Sequence, residues 1–94
     1  MKELVYKTRA KEDVKAAFNW YEQQKTGLGY DFLDNLEDSI IKIQHNPLLY
    51  PKTHKNLRRT LLKRFPYSLY YLLEDNIIYI FSVFDNRQNP EKLP

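Results

Sequence analysis

The sequence predicts an α+β fold, β-α-α-β-β-β, in which a two-helix hairpin packs on a small twisted antiparallel sheet. Apolar residues recur at helical spacing in the first half of the chain. Aromatic and branched residues dominate the second half, which contains no glycine. Two X-Pro steps, at Asn46-Pro47 and Tyr50-Pro51, separate the halves. A chain of 94 residues is of single-domain size, so we place one domain over residues 1–94.

The first half is predicted to form a short strand and two helices. Residues 3–7 alternate loosely between apolar and polar side chains, as in a short strand. Each helix has an apolar stripe: Ala10, Val14, Ala17, Phe18 and Tyr21 in the first, and Phe32, Leu33, Leu36, Ile40 and Ile43 in the second. Gly27 and Gly29 are expected at the end of the first helix, where a left-handed cap favours glycine. The short connection predicts an antiparallel hairpin.

The second half is predicted to form three consecutive antiparallel strands at residues 57–65, 67–73 and 77–84. The turn at Glu74, Asp75 and Asn76 joins the last two as a hairpin. Residues 88–94 are expected to be a loose tail.

Both faces of these strands are apolar. Alternation places Phe81 and Val83 on one face of the last strand, and Ile80 and Phe84 on the other. Two helices cover only one face of a sheet, so we expect a partner chain or a second copy to cover the other face. The alternative is that the twist of the sheet and the loop at residues 46–56 cover it internally.

Composition excludes several classes of protein. The absence of cysteine excludes disulfides and thiolate metal sites, and it is compatible with a reducing cytoplasm. No apolar run approaches the ~20 residues of a membrane helix, and the N-terminal residues lack the apolar core of a signal peptide. Glu12, Asp13 and Glu22 do not converge at metal-ligand spacing. We therefore expect a cytoplasmic protein with no cofactor, no metal and no membrane partner.

Positive charge is concentrated between residues 52 and 64. This segment contains no acid and six Lys/Arg: Lys52, Lys55, Arg58, Arg59, Lys63 and Arg64. The formal charge of the chain is +3, so the rest of it is net negative. On the predicted strand Arg59 and Lys63 share one face, and Arg58 and Arg64 share the other. A local basic patch is a candidate surface for an anionic partner, although a solvated face is the simpler alternative.

Short motifs run through nearly the whole chain. They are a helical run at residues 16–24, Gly27-Leu28-Gly29, Asn46-Pro47 with Tyr50-Pro51, Arg58-Arg59 before Arg64-Phe65-Pro66-Tyr67 and Tyr70-Tyr71, and Arg87 with Asn89-Pro90. In this order they resemble the RelE/ParE superfamily of toxins from bacterial type II toxin–antitoxin systems. The resemblance implies that superfamily's fold and a small antitoxin that wraps the toxin with a helix and a strand. Together with the apolar second face, it leaves a homodimer and a toxin–antitoxin hetero-oligomer as alternative assemblies.

The superfamily divides by target. RelE-like members cut messenger RNA on the ribosome without a metal, whereas ParE-like members are thought to poison DNA gyrase. By resemblance, a nuclease would use Arg59, Lys63 and Arg87 as phosphate clamps and His54 or Lys52 in proton transfer. However, Asp85 stands where many relatives have histidine, and a carboxylate there repels a phosphate unless an arginine neutralises it. No tyrosine follows Arg87.

This depleted catalytic set favours the ParE-like branch. We therefore expect growth arrest through binding of a target such as DNA gyrase, relieved by an antitoxin. The alternatives are a ribosome-dependent mRNA endonuclease and an inactive antitoxin-binding module. Arg87 joins the basic patch as a candidate, and Trp20, Tyr70 and Tyr71 are candidate contacts for target or antitoxin. Packing in the core is the simpler alternative for all three aromatic residues.

Overall fold

The structure, a computed structural model, describes residues 2–94. Two helices pack on a five-stranded sheet, and the predicted α+β class with its helical hairpin is confirmed. The elements are β1 (Glu3–Tyr6), α1 (Thr8–Gln24), α2 (Leu28–His45), β2 (Lys52–His54), β3 (Leu57–Leu61), β4 (Tyr67–Glu74), β5 (Ile77–Asp85) and a 3-10 turn (Pro90–Lys92). The strand order is β1-β5-β4-β3-β2.

The sheet differs from the predicted one in two respects. It is mixed, because β1 pairs parallel with β5 from Glu3 opposite Ile77 to Tyr6 opposite Ile80. It also has an additional strand, β2, in the stretch that was expected to be loop. Lys55 and Asn56 both adopt left-handed backbone angles, with φ of 47° and 67°. Two such residues make the tight turn that joins twisted antiparallel strands, here β2 and β3.

The strand β3 ends at Leu61, four residues earlier than predicted. The Leu62 N–H donates to the Tyr67 carbonyl and the Tyr67 N–H donates to the Phe65 carbonyl, which closes a turn before β4. Pro66 has no N–H to offer a ladder. Lys63 and Arg64 therefore lie outside the strand on which the sequence placed them.

The main core lies between the helices and the sheet. Tyr21, Phe32, Phe65 and Tyr67 form an aromatic cluster with ring centroids 4.8 to 6.1 Å apart. The two glycines of the hairpin have different roles. Only Gly27 is left-handed, with φ of 91°. Gly29 lies inside α2, where a Cβ would stand 2.8 Å from the Phe18 carbonyl oxygen, so it permits close packing of the helices.

The second face of the sheet is partly covered by the end of the chain. Leu57, Tyr70 and Phe84 form a small buried cluster there, and Leu93 packs against it. The Pro94 carbonyl is 2.7 Å from Nε2 of His54. Residues 90–94 are thus not the loose tail that was expected, and they cover a face for which the sequence suggested a partner or an internal loop.

A bulge in β5 also changes the predicted faces. Tyr70 pairs with Ser82 while Tyr71 pairs with Ile80, so Phe81 is the extra residue. Val83 consequently packs in the main core, while Phe81 packs against the cluster on the opposite face.

Candidate functional site

A cleft of about 360 Å³ lies where α1 crosses the end of β5. Trp20 of α1 and Arg87, two residues after β5, both line it, and Ala16, Ala17 and Tyr67 are among the remaining lining residues. Trp20 is 51% exposed. This exposure excludes core packing, the simpler alternative for Trp20, and its role as a contact stays a prediction. We call this feature the Trp20–Arg87 cleft.

Arg87 is held by a two-point ion pair. Its Nε and Nη2 donate to the two carboxylate oxygens of Asp85 at 2.9 and 2.8 Å, and its backbone N–H donates to Asp85 Oδ1 at 2.9 Å. These hydrogen bonds lower the pKa of the Asp85 carboxyl and raise the pKa of Arg87. The carboxylate that stands at the relatives' histidine position is thus neutralised by Arg87. The guanidinium is fixed in place, and its charge is already balanced.

Asp13, which also lines the cleft, is held by two hydrogen bonds to β5. Asp13 Oδ2 accepts hydrogen bonds from Ser82 Oγ at 2.7 Å and from the Val83 N–H at 3.0 Å, beyond the point where β1 ends. Burial is the main cause of the raised pKa of Asp13. Burial likewise raises the pKa of Tyr67, and the nearby Asp85 carboxylate adds to that shift. The Tyr67 phenol therefore stays protonated near neutral pH, and its ring packs in the main core.

The basic residues do not form one continuous patch. Arg58 Nη1 donates to the Tyr50 carbonyl at 2.6 Å, which anchors the preceding loop. Arg64 pairs with Asp31 at 3.8 Å and lies over the ring of Phe65. With Arg87 bound to Asp85, three of the seven candidates have structural partners. Within residues 2–94, the other four have no carboxylate at ion-pair distance: Lys52, Lys55, Arg59 and Lys63.

The three proposed phosphate clamps lie on separate surfaces. Arg59 pairs with Tyr70 in the sheet and shares its face. Lys63 lines a shallow cleft with α2 residues such as Ser39 and Lys42. Arg87 lines the Trp20–Arg87 cleft with α1. The prediction that Arg59 and Lys63 share a strand face is therefore wrong, because β3 ends before Lys63.

The two proton-transfer candidates are also separated from most of these residues. The His54 ring lies 6.3 Å from the Tyr70 ring, which places it on the face of Arg59, but its Nε2 contacts the Pro94 carbonyl. Lys52 is exposed at the start of β2. The structure brings together only His54 and Arg59, one proton-transfer candidate and one clamp.

Tyr70 and Tyr71 are core residues, which corrects their assignment as contact candidates. Tyr70 is 4% exposed and Tyr71 is fully buried. The Tyr71 hydroxyl donates to the Pro47 carbonyl at 2.6 Å, and burial raises its pKa to about 12. Neither ring is free to contact a partner.

An apolar groove of about 540 Å³ lies where β1 meets both helices, and no sequence motif pointed to it. Its lining includes Leu4 of β1, Val14 of α1, and Leu36, Ile40 and the exposed Ile41 of α2. The only signal for it in the sequence was the width of the apolar stripes on the two helices, which is greater than packing against one partner requires. The strand β1 is an edge of the sheet, so its outer backbone groups lie beside this groove.

Within residues 2–94, no group of three His, Asp or Glu side chains is arranged to hold a metal ion. In the same range neither helix combines the length and the apolar content that crossing a bilayer requires.

Comparison with known proteins agrees with this architecture. Residues 4–90 match the family described as "ParE toxin of type II toxin-antitoxin system, parDE". Among solved structures, the fold is similar to a chain described as "Chromosomal ParDE TA system from P. aeruginosa". The TM-score is 0.79 at 17% identity, and the match covers 90% of this chain and 96% of that one. A search of curated proteins finds no match.

Proposed function

Because the chain belongs to the ParE toxin family of type II toxin–antitoxin systems, we propose that it arrests growth by binding DNA gyrase in the cytoplasm. An antitoxin would reverse the arrest. The observation that carries the choice of target is the separation of Arg59, Lys63 and Arg87 onto different surfaces. Cleavage of RNA needs its clamp and its acid and base around one phosphate. Binding of a protein target needs no such arrangement.

The Trp20–Arg87 cleft is the surface through which we propose that the target is bound. Tryptophan and arginine are the residue types most enriched among interface residues of high energetic importance. Trp20 is 51% exposed, and the side chain of Arg87 is 53% exposed. The Asp85–Arg87 pair leaves little net positive charge, so the cleft suits a protein side chain better than a phosphate.

The antitoxin has a different surface available to it. The apolar groove beside β1 can accept the apolar face of a helix, and the free edge of β1 can pair with an added strand. These are the two kinds of element that the family resemblance implies for an antitoxin. Because the groove and the Trp20–Arg87 cleft have different lining residues, substitutions can test antitoxin binding separately from toxicity.

The mRNA endonuclease remains the second candidate, on one observation. His54 and Arg59 share the face of the sheet that bears Tyr70. If the chain cleaves RNA, His54→Ala and Arg59→Ala should each abolish toxicity, while Trp20→Ala should have little effect. The gyrase proposal predicts the reverse order of effects.

The direct test is inhibition of DNA supercoiling by purified gyrase. Removal of the exposed half of the Trp20 indole forfeits about 100 Å² of contact, or about 2.5 kcal/mol at ~25 cal/mol per Å². Trp20→Ala should therefore weaken inhibition roughly 50-fold. Tyr30→Ala is the matched control, since Tyr30 is a 61% exposed aromatic residue on the same hairpin but outside the cleft. Equal effects of the two changes, or no inhibition by the wild type, would contradict the proposal.

A further inference from the structure

The loop between α2 and β2 turns two adjacent leucines outward. Leu48 and Leu49 are 64% and 66% exposed, the largest values among the exposed large hydrophobic residues of the described chain. Pro47 and Tyr50, on either side of them, are buried and half-buried, and Tyr50 packs against the main core. Pro47 and Tyr50 therefore hold the loop against the protein, whereas the side chains of Leu48 and Leu49 face solvent.

Side chains from the sheet hold this loop in place. Its turn closes with the Leu49 N–H donating to the Asn46 carbonyl at 3.2 Å, with Pro47 at the position that such turns favour. The buried Tyr71 hydroxyl donates to the Pro47 carbonyl, and Arg58 donates to the Tyr50 and Leu48 carbonyls at 2.6 and 3.4 Å. A loop anchored at three of its carbonyl groups presents its leucines with little conformational entropy left to lose on binding.

Basic residues flank this loop on both sides along the chain. Residues 39–73 contain seven Lys/Arg and no Asp or Glu. Lys42, in the last turn of α2, and Lys52, at the start of β2, are both exposed and flank the loop. A partner that covers the two leucines would gain most if it placed carboxylates beside its own apolar side chains.

We propose that the Leu48–Leu49 loop docks an acidic segment of the antitoxin, with leucine burial as the anchor and Lys42 and Lys52 as the flanking charges. This inference rests on the proposed function in requiring an antitoxin. The antitoxin is the favoured occupant because it is the partner that the proposed function requires, and because the exposed Lys42 and Lys52 on either side of the leucines complement an acidic segment. A nucleic acid would use the lysines but would leave the leucines in water.

Calorimetric titration of this chain with the purified cognate antitoxin tests the proposal. Leu48→Ser with Leu49→Ser should weaken binding about 10- to 100-fold, given the apolar area that each leucine exposes. Leu61→Ser is the matched control, because Leu61 is also 54% exposed but lies in β3. We expect it to change affinity by less than about 3-fold. Thermal unfolding verifies that every variant is folded.

A second pair of variants tests the contribution of the flanking lysines to antitoxin binding. Lys52→Glu should weaken binding roughly 3- to 10-fold and reduce the salt dependence of affinity. Lys25→Glu, an exposed lysine at the opposite end of α2 from the loop, should do neither. If the wild type does not bind the antitoxin, the proposed function fails together with this inference. If the wild type binds and the leucine variants bind equally well, only this inference is overturned. The same holds if the leucine variants lose toxicity but keep their antitoxin affinity.

Discussion

Replacement of Gly29 by alanine tests how closely the two helices of the hairpin pack. In an isolated helix this change would stabilise by up to about 1 kcal/mol, because alanine is the better helix former. Here the added Cβ would stand 2.7 Å from Glu22 Cγ, 2.8 Å from the Phe18 carbonyl oxygen and 2.9 Å from Phe18 Cδ1. The Phe18 carbonyl belongs to the backbone of α1, so relief of the overlap requires the helices to separate. Such overpacking costs about 1–3 kcal/mol.

The same substitution weakens a cap. Glu22 Oε1 accepts the Gly29 N–H at 2.8 Å, so a residue of α1 satisfies one of the free donors at the start of α2. Displacement of Glu22 forfeits about 1.5–3 kcal/mol for a charge-assisted bond. After the gain in helix propensity, Gly29→Ala should reduce the free energy of unfolding by about 1.5–5 kcal/mol. Even the lower bound corresponds to a decrease in Tm of roughly 6–12 °C for a domain of this size.

Thermal and urea unfolding measure this effect, and two further variants separate its parts. Glu22→Ala removes the bond without the overlap and should cost less than Gly29→Ala. Gly27→Ala meets no atom within 4 Å but places a side chain at a φ of +91°, so it should cost only about 1–2 kcal/mol. A Gly29→Ala variant as stable as the wild type would refute the close-packing argument.

Three further predictions concern polar contacts of single side chains. Asp13→Ala removes the acceptor of the Val83 N–H and should lower the free energy of unfolding by about 1–3 kcal/mol in urea, whereas the exposed Glu12→Ala should change it by less than about 0.5 kcal/mol. Arg87 lowers the pKa of Asp85, so the stability advantage of the wild type over Asp85→Asn should be present above the ordinary carboxyl pKa of about 4 and vanish as the pH falls through the lower folded value. Tyr71→Phe should cost about 1–2 kcal/mol near pH 7 through loss of the bond to Pro47. Because the pKa of Tyr71 is raised to about 12, that deficit should shrink as the pH rises from about 10 towards 12.

Local periodicity predicted most of the fold. The apolar stripes of both helices and the β4–β5 hairpin follow from side-chain spacing, which the sequence shows directly. The parallel pairing of β1 with β5 does not follow from side-chain spacing. It joins strands from opposite ends of the chain, and it depends on where the β4–β5 hairpin packs relative to β1. The turn at Lys55 and Asn56 was missed because it adopts left-handed angles without a glycine to signal them. The end of β3 at Leu61 was missed because the residues of the following turn, 62–66, are a mixture of charged and apolar residues that resembles a strand.

The candidate site was harder to predict than the fold. Trp20 and Arg87 were each singled out from the sequence, but for different reasons, and nothing in the spacing placed them in one cleft. Their proximity comes from α1 packing over the end of β5. The Asp85–Arg87 pair was closer to prediction, since the two residues are near in sequence and opposite in charge. The outward position of Leu48 and Leu49 depends on Tyr71 and Arg58, which are distant along the chain.

The proposed target can be tested most directly by which synthesis stops first in the cell. Incorporation of labelled thymidine and of labelled amino acids would be followed in bacteria during the minutes after induction of this chain alone. Binding of gyrase predicts that DNA synthesis falls first, and that Trp20→Ala abolishes the fall while Arg59→Ala does not. A fall in protein synthesis first, lost in Arg59→Ala and His54→Ala, would contradict the account and favour an mRNA endonuclease. No fall in either synthesis would contradict it as well and would indicate an inactive antitoxin-binding module.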